Sequence, residues 1–372
     1  MWAGLFEIKK MNKKDLIVSV PINSLSFGNV SINLLREMFK RDLNISLFPI
    51  GDVDISTFDK LSQDFISWIN KSINTRFQGL CKDTPTFKLW HLRGSESRIS
   101  SKQYLYTFHE MDLATNVESE LCKFQDATIF SSSFSKSVFE KSGCDNVVNI
   151  PIGFDEDFYN TNKNYLQNVK VFGISGKFEK RKHTEKVIKL WISKYGGNMN
   201  YRLHCLVNNP FIPQQEMQSI VQDIFQGQMV DNVTFFNPQK DNSMMNNWLN
   251  SVDIDLSGLS GAEGWNLGAF NSTCLGKWSI VLNHTSHSDW ATPENSILIE
   301  PNGKDPAFDG RFFNPDDAFN QGSINTFDDN VVLEAFERSE FLAKTENKKG
   351  VELGKEMTYS KTLDQILKVM EL

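Results

Sequence analysis

A glycine-rich segment at residues 252–268 carries the strongest chemical signal in the sequence. It runs from a strand-like apolar stretch into a loop with three glycines, and a helical stretch, 267–275, follows. In open parallel sheets, ligands bind beyond the carboxyl ends of strands, where a helix N-terminus offers N–H groups to a phosphate. Glu263 in this loop could accept hydrogen bonds from sugar or ribose hydroxyls. The alternative is a glycine-rich turn with a solvated carboxylate, and the segment is neither a P-loop nor a G-x-G-x-x-G motif.

Basic residues form a second signal after the strand-like stretch 169–175. They are Lys177, Lys180, Arg181 and Lys182. Positive charge is unfavourable at a helix N-terminus, so this cluster indicates an anion nearby. A diphosphate would fit, because the cations would offset charge that develops on a departing nucleoside diphosphate. A solvated basic turn is the alternative.

Two weaker signals lie in the first half of the chain. His109 follows the strand-like stretch 104–108, where it could hydrogen-bond a sugar hydroxyl or move a proton, although a lone His is often structural. Gly28 and Asn29 follow the first strand-like stretch, where backbone N–H groups could approach a donor phosphate or sugar. Gly-Asn is also an ordinary turn pair.

Metal and serine chemistry are not expected. His284 and His287 have an H-x-x-H spacing, but no Cys or acidic residue stands at a metal-site distance in the sequence. The serines at 131–133 lack a G-x-S-x-G elbow. We therefore predict neither a metal nor a cofactor.

The elements that must position these residues are predicted from alternating strand-like and helical stretches. Twelve strands fall into two groups of six, at 15–20, 45–50, 87–92, 104–108, 127–131 and 147–152, then 169–175, 201–207, 233–237, 252–257, 279–283 and 297–300. Helical periodicity between many of them predicts parallel sheets covered on both faces. A chain of 372 residues exceeds the usual limit of one core. The pattern favours two Rossmann-like α/β domains that face each other across a cleft, rather than a (β/α)8 barrel.

Domain limits follow from the turn signals near 151–155. We predict a first domain at 1–155, a second at 156–355 and a C-terminal helix at 356–372, with a peripheral lead-in at 1–14. The net charge of -7 argues against a general nucleic-acid or anionic-membrane binder. Five scattered cysteines are typical of reduced thiols, and no apolar run is long enough to span a bilayer. These features predict a cytoplasmic protein without stable membrane insertion.

Six segments, which follow one another in the same order as the family's motifs, resemble the family 4 glycosyltransferases. These are retaining enzymes of GT-B architecture. The resemblance spans about residues 15–300. The segments are FGNV at 27–30, TFHE at 107–110, ATIFSSSFSK at 127–136, IPIGFD at 150–155, SGKFEKRK at 175–182 and EGWNL at 263–267, the start of an E-x7-E motif.

The resemblance implies roles for these residues. Glu263 would contact the donor sugar, and His109 would reach it from the first domain. The reaction would be a metal-independent front-face displacement in which the leaving phosphate helps to deprotonate the acceptor, and the last helix would cross back onto the first domain. The expected donor-binding residues are Gly28, Asn29, Lys177, Lys182, Gly264, Trp265, Asn266, Leu267 and Asn271.

Two positions depart from the family pattern. Lys177 stands where the family usually has Arg, and Lys lacks the bidentate fork of a guanidinium. Asn271 stands where the second Glu of E-x7-E binds the ribose, so no charge-assisted bond is available there. Residues 278–290 also resemble virus- and phage-encoded members, which would place the protein in a host cytoplasm.

The functional hypothesis is transfer of a hexose, with glucose as the first guess, from a nucleotide-diphosphate sugar such as a UDP-sugar. The acceptor could be a glycan, a lipid, a protein or a modified DNA base, and its loops are expected within 51–86 and 91–103. Three alternatives remain: a DNA-base glucosyltransferase, a sugar epimerase, and a module that binds a nucleotide sugar without consuming it. The sequence does not indicate an oligomeric state.

Overall fold

Two parallel six-stranded sheets form the framework of the computed structural model, which describes residues 13–161, 164–225, 227 and 230–372. The first sheet has the order β2-β1-β3-β4-β5-β6. Its strands are β1 (Leu16–Val20), β2 (Ile45–Pro49), β3 (Thr86–Leu89), β4 (Gln103–Thr107), β5 (Ala127–Phe130) and β6 (Val147–Asn149). The predicted lead-in lies almost entirely outside the described residues.

The second sheet has the order β12-β11-β10-β7-β8-β9. It is also doubly wound, but its first strand, β7, lies between its second and fourth strands, whereas β1 lies between β2 and β3 in the first sheet. Its strands are β7 (Lys170–Lys177), β8 (Tyr201–Asn208), β9 (Val233–Phe235), β10 (Ile254–Asp255), β11 (Trp278–Leu282) and β12 (Ser296–Ile299). The predicted two-domain α/β architecture is confirmed, including the division into six and six strands.

Helices cover both sheets. Those of the first domain are α1 (Ser26–Lys40), α2 (Gln63–Asn74), α3 (Asn116–Lys123) and α4 (Ser133–Lys141). The remainder are α5 (Thr184–Tyr195), α6 (Gln214–Phe225), α7 (Asn242–Ser251), α8 (Leu267–Cys274), α9 (Asp329–Leu342), α10 (Lys348–Glu356) and α11 (Tyr359–Val369). None of the helices in the described part of the chain combines the length and apolar character needed to cross a membrane.

Local sequence accounts for these elements. The five residues of β1 are all buried, as expected for a parallel strand with helices on both faces. The Thr115 side chain accepts from the backbone N–H of Glu118, whose carboxylate accepts from Thr115 in return, so a capping box starts α3. Ser132 and Asp328 cap α4 and α9 in the same side-chain manner.

The C-terminal helix α11 crosses back onto the first domain, as predicted. Tyr359, Leu363 and Ile366 join the apolar core that contains β1 and α1. At the crossing point Gly153 must be a glycine, because a Cβ there would lie 2.1 Å from the backbone nitrogen of Tyr359. Arg41 and Asp364 form an ion pair of 2.7 Å that ties α11 to the end of α1.

The two domains also touch along the edges where the strands end. Ser131 Oγ donates to the carbonyl of Gly264 at 2.6 Å, and Asp289 accepts from the backbone N–H of Ser133 at 2.6 Å. A hairpin of β13 (Gly303–Pro306) and β14 (Ser323–Thr326), which the sequence did not predict, reaches the first domain. There Lys304 pairs with Asp112 at 2.7 Å. These contacts hold the candidate site between the domains.

Candidate functional site

Glu263 lies between two cations at the carboxyl edge of the second sheet. Its Oε1 is 2.5 Å from Lys182 Nζ, and its Oε2 is 3.0 Å from the Arg181 guanidinium. Glu263 is 5% exposed and Arg181 is 6% exposed, so the Arg181–Glu263 pair is buried. The cations follow β7 and the carboxylate follows β10, which pair directly in the sheet. The structure thus brings together the two strongest sequence signals.

The ionisation of this group follows from its contacts. Burial opposes a charge on Glu263, but Lys182 and Arg181 outweigh it and hold the pKa of the carboxyl well below its ordinary value. Burial likewise opposes the charge on Arg181, while Glu263, Glu110 and Glu179 raise its pKa. Glu263 and Arg181 are therefore both charged at neutral pH.

Arg181 is the hub of a cluster of charged side chains, which we call the ion group. Its members are Glu263, Lys182, Arg181, Glu179 and Glu110. The Arg181 guanidinium donates to the Ala262 carbonyl and to Glu179 Oε2, the latter at 3.1 Å. A first-domain carboxylate, Glu110, lies 3.9 Å away. In the free protein, carboxylates of the chain itself thus pair with the cations of the basic cluster. Arg181 is visible in the sequence as one of the cations, but its central place is not, because its burial depends on a loop 81 residues further along the chain.

Lys177, the last residue of β7, and Lys182, in the segment that follows, contact different partners. Gly176 has φ of +124°, a conformation that favours glycine, and Lys182 Nζ would lie 3.6 Å from a Cβ at that position. Lys177 instead extends to Glu179 at 3.7 Å and lies over the rings of Phe211 and Phe312. Of the two lysines predicted to bind a diphosphate, Lys182 contacts Glu263, whereas Lys177 lines the neighbouring edge of the sheet.

The start of α8 is fixed by Asn266. This residue has φ of +70°, and its Oδ1 accepts from the Ala269 N–H. Its amide nitrogen lies 2.9 Å from the Ser257 carbonyl and 2.9 Å from His287 Nε2. The second nitrogen of His287 lies 2.8 Å from the Leu282 carbonyl, which assigns the proton to Nδ1. The side chain of Asn266, a predicted donor ligand, is thus hydrogen-bonded within the fold.

His287 was rejected as a metal ligand from the sequence, and its contacts explain its presence. It is completely buried, and burial lowers its pKa to about 4, so the ring is neutral and can accept from Asn266. His284 packs its ring against Phe134. Within the described residues, no group of three or more His, Cys, Asp or Glu side chains is arranged around a metal position.

Gly264 and Trp265 form the contact between the loop and the first domain. A Cβ on Gly264 would lie 2.8 Å from the Cβ of Phe108, so the close approach of the domains requires a glycine here. Trp265 is buried in the core beside Phe270, and its carbonyl accepts from Trp290 Nε1 at 3.2 Å. Leu267 starts α8 and is partly buried.

His109 lies on the other side of this contact. Its backbone nitrogen would be 3.3 Å from a Cβ at Gly264, and its carbonyl accepts from Ser135 Oγ at 2.6 Å. The ring is buried edge-on against Phe139, with centroids 4.9 Å apart. Among the described residues its Nε2 has no hydrogen-bond partner. A buried ring nitrogen without a partner is costly, so this atom is a candidate for contact with a bound hydroxyl.

Other buried polar atoms near the domain boundary share this property. Asn271 is 7% exposed, and its Oδ1 finds no partner in the part of the chain that the structure describes. The same holds for Asn29 Oδ1 in the first turn of α1, next to Gly28. Gly28 itself lets α1 approach the preceding loop, since a Cβ there would lie 2.2 Å from the Asn23 carbonyl.

Two cavities lie along the carboxyl edge of the second sheet. One, of about 840 Å³, lies beyond β8 and β9 and is lined by residues that include Asn208, Pro210, Phe236 and Asn237. Asn208 pairs in register with Lys177, so this cavity adjoins the end of β7. The other, of about 760 Å³, lies over α5 and includes Glu179, Lys180 and Arg311. Cavities of this size suit small molecules.

Comparison with solved structures identifies the architecture. Sucrose-phosphate synthase from Thermosynechococcus elongatus superposes with a TM-score of 0.65 at 13% identity, over 96% of this chain and 98% of that chain. The chain has the GT-B fold. A glycosyltransferase from Rickettsia africae ESF-5 gives 0.64 at 12% identity over 97% and 98% of the two chains. Anabaena HepE in complex with UDP-glucose gives 0.63 at 12% identity over 96% and 99%.

No protein-family model and no curated protein matches the sequence. At such low identities the GT-B likeness establishes the fold, and chemistry must be argued from the site. In this GT-B structure the ion group, the start of α8 and the His109 backbone meet where the two sheets face each other.

Proposed function

We propose that this protein is a glycosyltransferase that takes a hexose from a nucleotide-diphosphate sugar. The single observation that carries the proposal is the buried carboxylate of Glu263 held by Lys182 and Arg181 at the carboxyl edge of β7 and β10. A cation pair, an ordered carboxylate and a helix start at one point suit a ligand that has both phosphate and hydroxyl groups. UDP-glucose is the first candidate, since HepE, a structure of the same fold, was solved with it.

Each part of such a donor has a counterpart in the structure. The diphosphate would lie near Lys182, Gly176 and the start of α8, where the helix dipole favours negative charge. The hexose hydroxyls would contact Glu263, and His109 Nε2 would gain the partner that it lacks among the described residues. The nucleoside would extend toward the cavity beyond β8 and β9. Asn271, on α8, is the proposed ribose contact.

The proposed reaction is transfer with retention, as in the family 4 enzymes. Lys182 would stabilise charge on the leaving diphosphate, and the phosphate oxygen that departs would take the proton of the acceptor hydroxyl on the same face of the sugar. This scheme assigns no step to a metal. We also propose that the reaction takes place in a cytoplasm.

The experiment for this proposal is a thermal-shift screen with UDP-, GDP- and ADP-sugars, followed by measurement of nucleotide release. A ligand that binds only the folded state raises its stability by RT ln(1 + L/Kd) at a free ligand concentration L, so a tighter ligand at the same concentration raises Tm further. The proposal expects one nucleotide class to raise Tm and at least one sugar of that class to be consumed. It is abandoned if no nucleotide sugar binds.

A second candidate is a module that binds a nucleotide sugar without turnover. Asn271 favours it, because an amide in place of the second motif carboxylate offers no charge-assisted bond to the ribose. The same experiment separates the two candidates, since the module would raise Tm but release no nucleotide.

A further inference from the structure

Four aromatic rings form a cluster on the first-domain side of the cleft, which we call the aromatic shelf. Its members are Phe27, Trp90, His91 and Phe108. Phe27 lies at the centre, with ring centroids 4.4 Å from His91, 4.6 Å from Phe108 and 5.9 Å from Trp90. The rings follow β1, β3 and β4, so they lie at the carboxyl edge of the first sheet. This is the edge at which ligands of doubly wound sheets bind.

The shelf is accessible at one end. Phe27 is buried, Trp90 and Phe108 are half-buried, and His91 is exposed. The open surface is therefore the size of one or two rings rather than a wide apolar patch. Such a surface fits a small flat ligand face better than a lipid chain or a protein.

Charged residues of the proposed donor site lie close to the shelf. Although His91 is exposed as a residue, its ring packs between Phe27 and Trp90, and this loss of contact with water lowers its pKa. The carboxylate of Glu110 opposes the shift, and Lys177 of the second domain adds to it. Glu110 also lies 3.9 Å from Arg181. Arg181 and Glu110 are therefore neighbouring charged side chains between Glu263 and the shelf.

We propose that the aromatic shelf binds a sugar ring of the acceptor, so that the acceptor is a carbohydrate. This inference rests on the proposed function. The face of a pyranose presents C–H groups of slight positive charge, which suit the negative face of an aromatic ring. Its hydroxyls would reach Glu110, whose side chain is 29% exposed, and the Oδ1 atom of Asn29, which follows Phe27 by two residues on α1.

A flipped DNA base would also stack on aromatic rings, but the charges disfavour it. A polyanion requires a groove of unpaired cations. Here Arg181 is paired with Glu263 and Glu179, Lys177 is close to Glu179, and Glu110 adds a negative charge beside the shelf. A neutral or cationic sugar suits this surface, whereas nucleic acid does not.

The test measures saccharide transfer by the full-length protein with the nucleotide sugar that it binds best. The acceptors are a panel of methyl glycosides and short oligosaccharides, with duplex DNA that carries hydroxymethylated cytosine as the competing class. Trp90→Ala is expected to raise KM for the saccharide about tenfold, equivalent to about 1.4 kcal/mol. Trp90→Phe keeps a flat ring and should stay within about threefold of the native KM. Phe77→Ala, at an aromatic residue that is 71% exposed elsewhere in the first domain, is the matched control.

Donor affinity is measured on the same variants by titration with the nucleotide sugar. An unchanged donor Kd with a raised saccharide KM in Trp90→Ala and His91→Ala supports the shelf. The inference is overturned if Trp90→Ala leaves the saccharide KM unchanged. It is also overturned if the native protein binds donor but uses DNA and no saccharide, or if it uses no saccharide at all. Absence of donor binding by the native protein would instead defeat the proposed function together with this inference.

Discussion

Lys182 Nζ lies 2.5 Å from Glu263 Oε1, so in the free protein the cation expected to bind a phosphate already holds a carboxylate. An incoming diphosphate would share Lys182 with Glu263 rather than meet an unpaired charge. The arrangement keeps Glu263 ionised and oriented before the donor arrives. It also makes the two residues interdependent.

Replacement of Lys182 tests its role toward the diphosphate. Lys182→Ala should raise the Kd of the donor about 10- to 100-fold, because a charge-assisted hydrogen bond contributes about 1.5–3 kcal/mol. Arg181 still neutralises Glu263 in this variant, so the fold should persist. Calorimetric titration gives Kd, and Lys189→Ala, which removes an exposed lysine paired with Glu185, should change nothing. A native Kd in Lys182→Ala would refute the role.

Arg181 should matter to stability more than any exposed cation. Arg181→Met leaves Glu263 and Glu179 with a lost buried partner, and breaking such a pair costs about 3–5 kcal/mol. Urea unfolding measures the change. Arg311→Met removes an exposed guanidinium paired with Glu216 and should cost less than about 1 kcal/mol. Equal effects of the two substitutions would show that the Arg181 group is not the buried hub described above.

His287 should make stability depend on pH. Its pKa is about 4 in the folded protein and near 6.5 when unfolded, so the unfolded state binds a proton first as the pH falls. The native protein should therefore lose about 2 kcal/mol from this group between pH 7 and pH 5, and His287→Gln should not. Burial raises the pKa of Asp255 to about 7 and that of Asp155 to about 6. These two carboxyl groups therefore stabilise the folded protein as the pH falls, which opposes the effect of His287. The contribution of His287 is therefore the difference in the free energy of unfolding between the native protein and His287→Gln, measured at each pH by urea unfolding. An identical pH dependence for both would contradict a buried neutral ring.

Asn271 should contribute modestly to donor binding. Asn271→Ala removes an amide whose Oδ1 has no partner among the described residues, and one neutral hydrogen bond is worth about 1 kcal/mol, or roughly a fivefold rise in donor Kd. Asn271→Glu restores the carboxylate of the family pattern and should lower Kd instead. Both are measured by titration with the nucleotide sugar and with the free nucleotide. If neither substitution alters Kd, Asn271 is not a ribose contact.

The two sheets and their helices could be predicted from the sequence because buried segments have a recognisable local pattern of apolar residues. Strands such as β1 and β11 are apolar on both faces, and the turns between them carry glycine and proline. The start of α8 was equally readable from its glycines. In contrast, the hairpin of β13 and β14 has little apolar pattern, since the four residues of β13 are all exposed.

The site was harder to predict because its contacts join distant parts of the chain. Gly153 lies within the turn signals at 151–155 that set the predicted domain limit, but its closest neighbour is Tyr359 of the last helix. The pairing of His287 with Asn266 likewise depends on how two loops meet, and a spacing of H-x-x-H does not reveal it. Charge types were visible in the sequence, whereas the partner of each charge was not.

The central claim is tested most directly by incubating the native protein with UDP-, GDP- and ADP-sugars and measuring binding and nucleotide release. Lys182→Ala and Lys189→Ala serve as the matched variants. We expect one nucleotide sugar to bind and to be consumed by the native protein and by Lys189→Ala, with a sharp loss in Lys182→Ala. Failure of every nucleotide sugar to bind or to release its nucleotide would contradict the account.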